Sequence, residues 1–240
     1  MLTWPQDFAT NFQFLLRWFH FLAGITWIGM LYFFNLVNVP FQKELDAAVK
    51  GKVNLSLAPK GLWWFRWGAV WTWVTGFTYW SLILGSEPPG QKPVLLFLVG
   101  WGIAFVLLAV FYRMSVKGGA LKDGRVLAVA IAVVVIATAW IVASISRNWG
   151  SSSRAISILV GGGIGTIMFA NVWSIIWPLQ KKILAATKAS VETGAPAPAE
   201  QALWARRAFL ASRTNAWLSI PMLFFMGAAS HFPIFNVVTK

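Results

Sequence analysis

Two histidines and one arginine are the side chains of this sequence best suited to hold a cofactor in an apolar setting. His20 sits in RWFHFLAGITW and His231 in GAASHFP, while Arg17 precedes His20 by three residues. In a helix that spacing puts Arg17 and His20 on one face. Imidazole is an axial ligand for haem iron, so haem b held by one or both histidines is one expectation. Trp18, Phe19, Phe21 and Trp27 could wall such a flat ring, and Arg17 could meet a propionate or a substrate carboxylate. The plainer alternative is that each histidine bonds a neighbouring helix or faces interfacial water, with Arg17 reaching to lipid phosphate. The candidate cofactor-binding residues are therefore His20, His231 and Arg17, and the candidate metal ligands are His20 and His231. No catalytic set is legible. Asp7, Glu44, Asp46, Glu87, Asp123, Glu192 and Glu200 all lie outside the apolar runs. That leaves no carboxylate for a dinuclear metal site or for the proton-carrying acid of a pump. The absence of Cys removes disulfides, thiolate nucleophiles, iron–sulfur clusters and covalent haem c.

The elements that must position these residues are apolar helices. The chain is 58% hydrophobic and 11% charged, against about one quarter charged in soluble domains. Six runs are long enough to cross about 30 Å of hydrocarbon: 11–37, 63–84, 93–114, 125–145, 154–177 and 209–232. They are separated at Pro40, SEPPG, KGGALKDG, RNWGSSS, Pro178 and ETGAPAPAE. The expectation is an all-α integral membrane bundle of about six transmembrane helices. Residues 1–240 would form a single domain, with polar connectors near 41–61 and 180–205, the first holding a short interfacial helix. No signal-peptide cleavage site is evident, so the first helix is expected to be retained.

Six crossings put both termini on one face, A. Face A receives Arg17, Lys92, Arg147, Arg154 and Lys240, and the other fifteen of the twenty Lys and Arg fall on face B. The positive-inside rule then places B in the cytoplasm of a bacterial inner membrane and both termini outside. The same placement turns the net charge of +13 into a topology signal and argues against nucleic acid as a partner.

Trp63, Trp67 and Trp71 recur every four residues beside Arg66, a stripe expected to pack or anchor in lipid. Gly161, Gly162, Gly163 and Gly165 in ILVGGGIGTIMF allow close helix approach; without a following lysine they are no nucleotide loop. Arg213, Asn215, Ser219 and Pro221 intrude on the last run, where Pro221 could kink the helix and turn Ser230 and His231 inward.

Four stretches carry a resemblance: RWFHFLAGITWIGMLYFFNLVNVP, FRWGAVWTWVTGF, NVWSIIWPLQKK and SRTNAWLSIPMLFFMGAASHF. Through them the chain resembles the transmembrane N-terminal domain of bacterial membrane-bound urate oxidases, also described as urate hydroxylases. The resemblance implies oxidation of a purine by a membrane domain that passes electrons to a fused cytochrome c domain. This sequence ends at Lys240 without a Cys to attach haem, so the acceptor is expected to be a separate cytochrome. The family domain is commonly drawn with more than six helices. The functional expectation is a membrane redox-associated protein that binds haem or hands electrons to that cytochrome. The alternative is a non-catalytic accessory subunit of a larger membrane redox complex, and a small-solute permease is the third class. Partners are then the lipid bilayer and other membrane subunits or the cytochrome.

Overall fold

The computed structural model describes residues 6–236; Lys240, assigned above to face A, lies outside them. Among the described residues there are six long helices and no strand. They are α1 (Phe8–Glu44), α2 (Ala47–Ser86), α3 (Lys92–Lys117), α4 (Gly124–Asn148), α5 (Ser153–Thr193) and α6 (Gln201–Ala228). Side-chain caps start three of them. Asp7 accepts from the Thr10 N–H, Asp123 from Arg125 and Ser152 from Ala155, each satisfying a backbone donor that the first turn leaves free.

α1, α3, α4 and α5 are long and apolar enough to cross a membrane. α2 and α6 are as long, but Trp and Thr dilute the first, and Arg213 and Asn215 the second. The connectors also differ from the sequence expectation. Apart from a break at Leu45 and Asp46, residues 41–61 are helical, and α2 runs 40 residues straight through Pro59. α5 likewise continues past Pro178 to Thr193, and Gly194 closes it in the left-handed region at φ 71°. Hydropathy marks where a helix leaves hydrocarbon, and nothing in AAVKGKVNLSLA stops the helix itself from continuing. At 1.5 Å per residue, α2 is about 60 Å long, twice the hydrocarbon thickness.

Consecutive helices run antiparallel. Residues 20, 27 and 34 of α1 meet residues 76, 68 and 61 of α2 in that order. At one end of the bundle Ser152 donates to Glu87, and the Phe235 N–H donates to Ser153; this end is called the face A end. At the other end Arg206 donates to the Lys122 carbonyl, and Gln201 to Thr187.

α5 is the centre. About two thirds (67%) of its most apolar stretch is buried, against 22% for α1, α3 and α4. Its glycines allow that burial. The Trp101 indole lies across Gly163 and donates to the Leu159 carbonyl at 3.1 Å. At Gly161 an added β-carbon would come within 2.7 Å of Met226. The GGGIG run is thus a set of notches for α3 and α6, the close packing expected of small residues. Because a methyl at 163 would overlap the indole, Gly163→Ala is expected to destabilise by about 1–3 kcal/mol. A thermal melt in detergent should read this as a lowered Tm, recovered in part by adding Trp101→Leu.

Candidate functional site

A cavity of about 540 Å³ opens in the face A half of the bundle, between α1, α2, α5 and α6, within the size range of small-molecule sites. Arg17 and His20 both line it, which places two of the three candidate residues together. His231 does not line it. The neighbouring Ser230 does, while His231 is exposed beyond the end of α6. Of the four aromatics expected to form walls, Phe21 and Trp27 do so, whereas Trp18 and Phe19 are exposed and do not line the cavity. The opposite wall comes from α2 and α3: Trp73 stacks on Phe77 with centroids 5.1 Å apart, and Trp80 packs on Phe97 at 4.9 Å. The Trp63–Trp67–Trp71 stripe takes no part; all three are exposed on the outside of the bundle.

His20 is held by α2. Its Nδ1 lies 2.9 Å from the Thr72 carbonyl and 3.3 Å from the Thr75 hydroxyl. A carbonyl only accepts, and the Thr75 hydroxyl spends its own proton on the Trp71 carbonyl at 2.6 Å. Nδ1 therefore carries the proton, and Nε2 presents a lone pair that no described residue engages. That is how a backbone carbonyl sets the tautomer of a ligating imidazole. The ring packs directly on Gly76, where a β-carbon would come within 2.7 Å of it. The cavity thus has one imidazole with a free acceptor nitrogen, aromatic walls and a guanidinium at its rim. If a metal-bearing macrocycle bound here, His20 would hold its metal and Arg17 would meet its propionates. Among the described residues no group of three His, Cys, Asp or Glu gathers to hold a bare metal ion.

The cavity's floor is polar and closed. The Tyr32 hydroxyl, from a residue that lines the cavity, pairs with Ser219 at 2.9 Å. Farther from face A, Asn35 donates to Ser212 at 2.9 Å, Asn171 donates to Asn215 at 2.8 Å, and Asn215 donates to the Met168 carbonyl at 2.9 Å. Asn35 lies inside a π-helical stretch, Phe33–Asn38, and Asn171 immediately precedes another, Val172–Ile176. Each wide turn carries, or follows directly on, an asparagine that bonds α6. At the rim, Arg154 donates to the Tyr79 hydroxyl and lies 5.5 Å from the centre of its ring.

Thr72, Thr75 and Gly76, which set the histidine, are not among the candidate residues of the sequence. The signal was present, since Thr72, Thr75 and Thr78 recur every third residue in an apolar run, although it is faint beside the tryptophans.

The family model described as urate oxidase N-terminal matches residues 48–239, and the chain belongs to that family. No curated protein and no solved structure matches it.

Gly76→Ala is expected to push the His20 ring off Thr72 at a cost of about 1–3 kcal/mol. With only two histidines in the chain, nitrogen NMR of labelled imidazoles gives a clean readout. The His20 Nδ1 resonance should move while that of His231 stays in place.

Proposed function

We propose that this member of the urate oxidase N-terminal family is a membrane redox-associated protein. It binds a flat conjugated redox ligand in the face A cavity through His20 and exchanges electrons with a separate cytochrome. The observation that carries this reading is the free Nε2 of His20 in an aromatic-walled cavity with Arg17 at its rim. Nε2 can ligate the iron of a haem b or accept a proton from the hydroxyl of an organic ring. The reading gives His231 no ligand role. Urate, which the family's description names, is the substrate class the redox chemistry would serve.

The proposed topology is one transmembrane domain crossing a bacterial inner membrane six times, with face A and both termini outside. The uneven split of Lys and Arg between the two ends supports it. So does the length of α2 and α6, each sufficient for a crossing.

The redox reading is tested by an oxidised-minus-reduced absorption spectrum, ultraviolet to visible, of protein gently extracted from native membranes. A redox-dependent signal is expected in the wild type and lost in His20→Ala of unchanged helicity. A folded, native-loaded protein with no redox signal would overturn the reading and leave an accessory structural subunit.

Topology has its own test, helped by a chain without Cys. A cysteine replacing Trp149 should react with an impermeant maleimide on intact spheroplasts. One replacing Ala197 should react only after lysis; the reverse pattern would invert the bundle.

A further inference from the structure

The face A cavity reaches the bundle's outer surface sideways. Phe21 and Ile25 on α1 and Leu223 on α6 line the cavity, yet are 56%, 72% and 46% exposed. α1 and α6 are tied together by Tyr32 with Ser219 and by Asn35 with Ser212. Toward face A no further hydrogen bond joins them among the described residues, and the cavity fills the gap. All three exposed side chains are apolar, and lipid is what such a surface meets in a membrane. A ligand using this opening arrives from the hydrocarbon and must itself be lipid-soluble.

The polar groups then specify its head. The His20 Nε2 accepts a hydrogen bond, so it pairs with an O–H and not with a bare carbonyl. Arg17 only donates, so it suits a second ring oxygen or one carrying negative charge. Phe21, Phe77 and Trp73, the last held between Phe77 and Phe169, wall the cavity with aromatic rings against which a planar ring can pack. No carboxylate lines the cavity to compete for Arg17. Gly29 leaves the α1 side of the opening bare, since a β-carbon there would meet nothing within 4 Å.

We infer that the cavity is a binding site for a lipid-soluble hydroquinone, which enters between α1 and α6 with its hydroxyl on His20 and its apolar tail left in the opening. The inference rests on the redox reading of this cavity and names its ligand.

The probe is a benzohydroquinone with a decyl chain, titrated against the full chain in lipid nanodiscs and followed by quenching of tryptophan fluorescence. Its dimethyl ether, which keeps the ring and tail but has no O–H, is the comparison. The wild type should bind the hydroquinone saturably and the ether about tenfold more weakly, the loss of one hydrogen bond in a dry site. His20→Ala should bind the two alike, at the ether's affinity. Gly29→Phe, at a position where a β-carbon meets nothing within 4 Å, should weaken both by at least tenfold through obstruction. If the wild type does not distinguish hydroxyl from ether, or if Gly29→Phe binds as the wild type does, the inference is wrong. The redox spectrum separates the two levels of failure. A haem band lost with His20→Ala would keep the redox reading and overturn the hydroquinone, whereas no redox signal would overturn both.

Discussion

Helices surrounded by hydrocarbon gain little hydrophobic energy by associating with one another, so close backbone approach and internal hydrogen bonds must hold them. In this bundle α5 meets that constraint. Gly161 and Gly163 let Met226 and Trp101 sit against its backbone, and the Trp80 and Trp101 indoles bond the Ala155 and Leu159 carbonyls. These indoles use backbone oxygens that already accept within the helix, which couples the register of α2 and α3 to that of α5. With the three in register, α1 packs on α2 through Gly68 and Gly76, and α6 packs on α5 through Asn171 and Asn215.

Other glycines leave space where these permit contact. Gly24, Gly29, Gly162 and Gly165 line the cavity, and at none of them would a β-carbon meet an atom closer than 3.7 Å. Nearer the middle of the bundle, wide helical turns bring Asn35 and Asn171 against α6, and that level is cross-linked by hydrogen bonds. The packing is therefore uneven: hydrogen-bonded where the asparagines meet α6, hollow beside His20. A cavity with a rigid floor and one soft, lipid-facing side follows from that division. The histidine is held from behind by a carbonyl that belongs to a helix and cannot drift, so its free nitrogen keeps one orientation in the cavity whatever enters.

Sequence alone determined the class of the molecule. A 58% hydrophobic chain with its cations gathered between apolar runs has no soluble solution, because hydrocarbon admits only backbones that satisfy themselves, and that means helices here. It also determined the family, the packing role of the GGGIG run, and the pairing of Arg17 with His20 through their shared helix face. Each of these is local, a matter of composition or of spacing within one helix.

The tertiary structure decided what depends on how helices face one another. Hydropathy could place Trp63, Trp67 and Trp71 on a stripe, but only the direction of α2 turned that stripe outward and brought Trp73, Thr72 and Gly76 to His20. His20 and His231 look equivalent as letters at the same end of the bundle. α6 ends at Ala228, so Ser230 is left at the cavity and His231 outside it. Helix ends beyond the hydrocarbon were equally hidden, since apolarity stops at the membrane surface while backbone hydrogen bonds do not. A residue's type and spacing set what chemistry it can offer; which neighbour receives it depends on the rotation and register of a helix distant in sequence.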